Sequence, residues 1–310
     1  MSLTRTFFLA ISRSESLRQT AIGLAPVRKM SRRFTAGETL EDAIAAVEEL
    51  NRQELLATLD HLGENVTSET EARDATTSVL DLLKAIEASG VQSGVSVKLT
   101  QLGLDLSPAL AAENLQRILV QATGAQRFVR VDMESSEYVQ RTLDLFEGLW
   151  PHHKNVGVVI QSYLRRSADD VARLVRQGAS VRLVKGAYDE PPEVAFEEKS
   201  ETDASFVQLV EQLFSDEAQA NGVFPAIATH DTRLIEHTKA LALRRGVGQD
   251  RFEFQMLYGI RTKLQRQLAA EGYHVRVYVP YGQQWFPYLM RRLAERPANL
   301  SFLLRNLLRP

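Results

Sequence analysis

The 310 residues, 44% hydrophobic and 25% charged, have the composition of an ordinary soluble chain, long enough to bury a sizeable core in one large domain or two small ones. Lys and Arg number 37 against 39 Asp and Glu, and no dense basic run stands out, so nucleic acid is not an expected partner and a small molecule is. The absence of cysteine excludes disulfides, thiolate metal sites and cysteine nucleophiles, so the chemistry has to come from other side chains.

The apolar run Phe7 to Ile11 is shorter than a signal-peptide core, and no segment approaches a membrane span, which predicts a cytoplasmic protein. Residues 1–34 scatter Arg5, Arg13, Arg18, Arg28, Arg32 and Arg33 among apolar positions and read as short helices outside the main repeat. Thr39 followed by Asp42 is a capping-box signal, and Ala43, Val47 and Leu50 continue it as a helical stripe over about 39–50. The segment 1–50 is therefore expected to be an N-terminal helical cap on a catalytic domain spanning 51–310.

From residue 51 onward one unit recurs: a short apolar run, a polar residue at its end, a capped loop and an amphipathic helix. The runs are Leu55 to Leu59, Val95 to Lys98, Phe128 to Val131, Val156 to Ile160, Val181 to Val184, Phe224 to Ala228, Phe252 to Met256 and Val275 to Val279. Ser68 with Glu71 and Ser167 with Asp170 read as capping boxes, and Ser107-Pro108 joins a cap to proline at the first helical position. Strands each followed by a helix, at this spacing, predict an α/β fold, a closed (β/α)8 TIM barrel rather than an open doubly wound sheet. The long gap from Asp189 to Gly222 holds the acidic loop Glu190-Pro-Pro-Glu193 and a helix near Ala204 to Ala220, with room for an inserted short helix.

The last unit is the most informative. Pro280 and Gly282 break the chain after Val275 to Val279, and Trp285 to Arg296 reads as helix. Trp285, Leu289 and Leu293 form its apolar stripe, whereas Tyr288, Arg291, Arg292 and Glu295 share another face. Two guanidiniums beside a phenol suit the grip of a small carboxylate. The spacing of Glu295 from Arg291 and Arg292 equally suits a salt-bridged solvent face.

In such barrels chemistry sits where the strands end. The residues there are Asp60 and His61 with Glu64 close behind, then Lys98, Asp132, Gln161, Arg182 with Lys185, Thr229-His230-Asp231, Gln255 and Tyr278. Any one alone is an ordinary polar rim residue. Lys98 and Asp132 end neighbouring strands and are expected to form a buried ion pair, an arrangement concentrated where a site needs it. Other fingerprints are missing: Gly246-Val-Gly248 lacks the context of a dinucleotide fold, Gly90 to Gly94 has the wrong spacing for a nucleophile elbow, and His152-His153 has no acidic partner for a metal. His230 is expected to be a buried histidine bonded to a loop or cofactor.

These strand ends resemble the proline dehydrogenase family. The resemblance rests on Leu59-Asp-His-Leu-Gly-Glu64, Ser96-Val-Lys-Leu-Thr100, Val129-Arg-Val-Asp132, Val181-Arg-Leu-Val-Lys-Gly-Ala-Tyr188, Ala228-Thr-His230, Phe254-Gln-Met-Leu257, and Val277-Tyr-Val-Pro280 followed by Tyr288 and Arg291-Arg292. It runs from about Leu55 to Phe302 and is closer to the monofunctional bacterial enzymes than to the long bifunctional ones. It implies a distorted barrel holding FAD noncovalently and oxidising L-proline to Δ1-pyrroline-5-carboxylate. That is the first step of proline degradation to glutamate, with electrons passed to a membrane quinone and the following dehydrogenase a separate protein.

By the same resemblance, Arg291, Arg292 and Lys98 hold the substrate carboxylate and Asp132 supports Lys98. Tyr278, Tyr288, Leu257 and Ala187 wall in the ring, and Glu64 pairs with Arg291 over the site. For the flavin the resemblance implies Gln161, Arg182, Val184, Lys185, Gly186, Ala187, Ala228, Thr229, His230, Gln255, Leu257, Arg292, Glu295 and Phe302. Gly186 would admit the cofactor close to the backbone, and Arg182 would donate toward flavin N5. The family usually follows Ala-Thr-His with Asn, where this chain has Asp231. The positive field of Arg291, Arg292 and Lys98 is expected to disfavour the proline ammonium. The Arg-rich N-terminus is expected to close the barrel bottom, with peripheral contact to anionic lipid on the inner membrane face as the alternative.

Overall fold

The computed structural model describes residues 27, 30–63 and 66–295, except the side chains of Arg291 and of Leu293 to Glu295. Eight parallel strands close into a barrel in chain order, with β8 pairing back onto β1. They are β1 Leu56–His61, β2 Ser93–Val97, β3 Val129–Val131, β4 Val156–Gln161, β5 Ser180–Val184, β6 Phe224–Ala228, β7 Glu253–Leu257 and β8 His274–Tyr281. Every expected apolar run falls on one of these strands. Lys98 lies one residue past the end of β2 instead of inside it.

Helix α1, Leu40–Arg52, precedes the barrel and opens as its sequence predicts. The Thr39 hydroxyl accepts from the Asp42 N–H at 3.2 Å, and the Asp42 carboxylate accepts from the Thr39 N–H at 3.3 Å. The crossovers are α2 Glu69–Ser89, α3 Pro108–Gly124, α4 Ser136–Leu149, α5 Ser167–Arg176, α6 Lys199–Leu213, α7 Asp216–Ala220, α8 Thr232–Arg244 and α9 Thr262–Ala270. Helix α10, Trp285–Glu295, follows β8, and α7 is the short helix expected in the long gap.

Two cap expectations need correction. Ser68 accepts from the Glu71 N–H at 3.2 Å, but the Glu71 carboxylate turns outward to the Thr67 N–H at 2.6 Å, so only half of that box forms. Ser167 is not a cap at all. It lies inside α5, its hydroxyl donates to the Gln161 carbonyl at 2.6 Å, and Asp170 pairs with Arg166 at 2.7 Å. A buried carbonyl at the end of β4 outcompetes the helix terminus for that hydroxyl.

The core is the annulus between strands and helices. Ala57, Leu59, Val95, Val97, Val129 and Val131 pack there with Val79, Leu83, Ile86, Leu115, Ile118 and Phe146. Alternation then sends the other strand residues into the barrel, and most of these are polar: Thr58 and Ser96 bond each other at 3.2 Å, and Arg130, Glu253 and Arg276 are held by side-chain and backbone bonds. A smaller cluster joins Val27, Met30 and Phe34 to Leu62, Trp285, Phe286, Leu289 and Met290. Ala36 donates to the Pro280 carbonyl at 2.9 Å, Gly282 to Gly37 at 3.0 Å and Trp285 Nε1 to Glu38 at 3.1 Å. The described residues ahead of α1 therefore sit at the carboxyl end of β8, beside α10, and α1 runs from there back to the start of β1. Residues 1–26 lie outside the described residues.

Candidate active site

The barrel interior stacks two polar layers. In the lower one the Arg276 Nε meets Glu253 at 2.8 Å, and Arg130 donates to the Ser180 carbonyl at 2.9 Å and the Val158 carbonyl at 3.1 Å. Burial, followed by the repulsion of Arg182, puts Arg130 well below the usual arginine range. Burial works against an ionised Glu253, but Arg276 outweighs it and holds the carboxyl below its ordinary value. Each charge is thus tied down by a partner it cannot leave without a large desolvation cost.

The upper layer is built on the carboxyl ends of β1, β2, β3, β5 and β8. Lys98 Nζ is 3.1 Å from Asp60, 3.5 Å from Asp132 and 3.4 Å from the Tyr278 oxygen. The expected Lys98–Asp132 pair is present, but it is the longer of two. The Tyr278 hydroxyl lies 2.6 Å from Asp60 and 2.8 Å from Asp132. Arg182 donates to Asp132 at 2.8 Å and to Ser96 at 3.2 Å. Two carboxylates are thereby balanced by one ammonium and one guanidinium, all of them buried. Burial, then Asp132 and Asp60, raises the Tyr278 phenol well above its usual range, so it stays protonated and donates at neutral pH.

Above this floor opens a cavity of about 730 Å³. Lys98, Asp132, Gln161, Arg182, Val184, Lys185, Gly186, Ala187, Ala228, Thr229, His230, Gln255, Leu257, Tyr278, Tyr288 and Arg292 all line it. Helix α10 reaches the mouth because Trp285 and Leu289 are buried at 2% and 0%, which turns Tyr288 and Arg292 inward. For these two residues the solvent-face reading is overturned. Tyr288 is only 6% exposed, and the Arg292 guanidinium stands 5.2 Å from its ring centre. Glu64 and Phe302 lie outside the described residues, as do the side chains of Arg291 and Glu295.

Three local readings are refined. Gly186 has φ +111°, and a Cβ there would come 2.2 Å from the Tyr163 ring, so a tyrosine behind the wall demands this glycine as firmly as any ligand in front. His230 is bonded to a loop: its Nε2 accepts from the Leu257 N–H at 3.0 Å, and its carbonyl accepts from Arg261 at 2.6 Å. Asp231 caps α8 through the Arg233 N–H at 3.1 Å and draws Lys185 to 3.4 Å. Burial opposes its charge, yet bonds to Arg233 and Lys185 bring its pKa down to about 2.

Sequence reasoning flagged Asp60 as a strand end without giving it a role, and it missed Ser96 and Arg261. Asp60 carries the shorter Lys98 contact and Arg261 lines the cavity mouth. The signal for Asp60 and Ser96 was available, since Thr58 and Asp60, Ser96 and Lys98, Arg130 and Asp132 are spaced by two along strands whose other face is apolar.

A proline dehydrogenase family model matches residues 43–305. Proline dehydrogenase 1 of Bacillus subtilis is 42% identical over 308 residues, covering 99% of this chain and 100% of the relative. Proline dehydrogenase of Deinococcus radiodurans is 41% identical over 90% of each chain. The bifunctional protein PutA of Escherichia coli is 30% identical across 98% of this chain but only 26% of its own length. Among solved structures, proline utilization A from Bdellovibrio bacteriovorus, inactivated by N-propargylglycine, superposes with a TM-score of 0.84 at 27% identity. That match covers 97% of this chain and 37% of the other, so the chain spans little more than a third of that structure's length.

Proposed function

The chain belongs to the proline dehydrogenase family, and from that premise we propose that the cavity at the barrel mouth is its catalytic site, holding FAD noncovalently beside L-proline. The protein is an oxidoreductase that converts proline to Δ1-pyrroline-5-carboxylate. The observation that carries the site assignment is the convergence, in one cavity, of a buried Lys98–Asp60–Asp132–Arg182 floor and half-buried Tyr278 with Tyr288 and Arg292 from α10.

The family is flavin-dependent, and the residues fit such a group. A space of about 730 Å³ exceeds what a five-membered amino acid needs and lies within the roughly 300–1,000 Å³ of cofactor pockets. Arg182 lines it with a buried Nε that has no hydrogen-bond partner, a donor suited to charge gathering on a reduced ring. When bound, the flavin supplies the two-electron acceptor for the hydride leaving proline C5. Gln161, Arg182, Val184, Lys185, Gly186, Ala187, the Ala228-Thr229-His230 segment, Gln255, Leu257, Arg292, Glu295 and Phe302 are the residues proposed to hold it.

On the substrate side, Arg292, Arg291 and Lys98 clamp the carboxylate. The Lys98 contacts at 3.4 and 3.5 Å are long, so the ammonium can turn toward an incoming anion without giving up Asp60. Tyr278, Tyr288, Leu257 and Ala187 enclose the ring, and Glu64 is proposed as the partner of Arg291. Orientation of this kind supplies much of the rate. Because Asp60 and Asp132 already offset Lys98 and Arg182, the field that disfavours the proline ammonium comes from the arginines of α10. The Tyr278 phenol, held protonated, is a donor in this site and not a base. Electrons leave to a quinone through a peripheral membrane contact.

The test is anaerobic. Purified yellow protein should bleach on addition of L-proline, its extracted cofactor should have the mass of FAD, and a soluble quinone should restore the colour. Protein that binds no flavin, or flavin that stays oxidised with proline, refutes the assignment.

A further inference from the structure

One wall of the cavity is irregular backbone. Val184 to Tyr188 all line it, and beyond β5 the chain has no regular element until α6 begins at Lys199. Such a wall has to be held from behind. Part of the hold is main-chain: Ser162 donates to the Val184 carbonyl at 2.8 Å, Tyr163 to Lys185 at 2.9 Å, and Phe196 to Tyr163 at 2.8 Å. The Tyr163 ring then fills the space left by the missing side chain of Gly186.

The remaining hold converges on one carboxylate. Glu190 Oε1 accepts from the Ser136 N–H at 2.7 Å and Oε2 from the Ser136 hydroxyl at 2.5 Å, while the Tyr163 hydroxyl lies 3.5 Å from Oε1. Ser136 is the first residue of α4, and Ser135 before it makes no side-chain cap bond. Glu190 therefore caps α4 from a different loop, where its charge also meets the positive end of the helix. Four residues upstream of Ser136 stands Asp132 in the upper ionic layer, and Met133 beside it lines the cavity. Burial first, and Glu190 second, pushes the Tyr163 phenol far up, so it remains a donor.

We propose that Glu190 is a positioning residue, bracing the Lys185-Gly186-Ala187 wall against Tyr163 and the start of α4 so that the wall meets both flavin and proline. The inference rests on the reading of the cavity as the FAD and proline site. It assigns to the β5–α6 loop an effect on affinity, with little effect on the chemical step.

The experiment compares full-length holoenzyme carrying Glu190→Ala, Glu190→Gln and, as a control for loop charge, Glu193→Gln at an exposed position of the same loop. Glu190→Ala should raise the proline KM and the FAD released on dilution, each by about tenfold, with kcat within about threefold of the parent. Glu190→Gln should fall between, because its carboxamide oxygen still accepts from Ser136, and Glu193→Gln should match the parent. Ser136→Ala, which removes one of the two bonds from the other side, should reproduce the direction if Glu190→Ala does not fold. Parental KM and FAD release in folded Glu190→Ala or Ser136→Ala protein, or a fall in kcat alone, overturns the inference. Failure of the parent itself to bleach with proline sinks the site assignment instead, so the two failures are told apart.

Discussion

Lys98→Met is the sharpest perturbation of the upper layer. It keeps the length and apolar stem of the side chain and deletes only the ammonium, which sits 3.1 Å from Asp60 with side-chain exposures of 9% and 1%. At that separation and an effective dielectric of about 20 the attraction is roughly 5 kcal/mol before desolvation. Breaking a buried pair usually destabilises by about 3–5 kcal/mol, because the surviving charge stays buried. Here two carboxylates would share one guanidinium. Burial and mutual repulsion of the two carboxylates set the size of the loss. Adding Asp60→Asn should return much of the loss. Loss of one carboxylate contact should lower kcat/KM by about 2–4 kcal/mol, roughly 30- to 1,000-fold. Thermal unfolding, alongside steady-state kinetics, measures all of this. A variant that melts with the parent and turns over proline normally would refute the linkage of this layer to substrate.

Gly186→Ala should abolish tight flavin retention and destabilise by about 1–3 kcal/mol, since φ +111° and the Tyr163 ring both oppose a side chain; flavin content and melting temperature check it. Glu253→Gln, in the lower layer, should cost about 3 kcal/mol of stability by leaving half-buried Arg276 and buried Arg130 without a counter-charge, yet leave the proline KM near the parental value. A large KM change there would mean that the two layers are coupled. Asp231→Asn should keep the α8 cap, because Asn caps as well as Asp. With its folded pKa near 2, Asp231 contributes stability above about pH 4 that is lost as pH falls through 2, so the variant's acid unfolding curve should flatten in that window. Removing this charge from the cavity rim should also tighten FAD binding several-fold, read by flavin fluorescence on dilution.

The architecture was legible because one rule repeats. Val95 to Lys98 or Val156 to Ile160 says strand by composition, Ser107-Pro108 says helix start, and the unit recurs along the chain. Strand-end positions then named Lys98, Asp132, Arg182 and Tyr278 before any coordinates. What stayed hidden depended on competition between partners. Ser167 looked like a cap, but a cap forms only if no nearer buried acceptor claims the hydroxyl, and the Gln161 carbonyl does. Lys98 was expected to meet Asp132, yet the register that sets Asp60 beside Ser96 brings Asp60 closer. Gly186 suggested a ligand in front, whereas the Tyr163 ring stands behind it. Each of these turns on a choice between acceptable neighbours, which distance decides and residue type does not.

The barrel's polar interior also explains why the last helix matters more than its charge count suggests. A barrel filled with branched aliphatics would need no ions in its middle, but this one places Arg130, Glu253 and Arg276 under Lys98, Asp60, Asp132 and Arg182. The upper layer is internally balanced, one carboxylate to each cation, so it offers directed donors with little net field. A carboxylate descending into such a floor loses hydration without meeting surplus positive charge, which is unfavourable on its own. Helix α10 adds a further guanidinium from outside the barrel, with Arg292 resting against Tyr288 at the mouth. Trp285 and Leu289 dock that helix on Met30 and Phe34 of the N-terminal segment, so residues ahead of the first strand help to hold the guanidinium over the cavity. Floor and helix thus present different groups to one cavity: the strands hold directed donors, and the docked helix adds a guanidinium at the mouth.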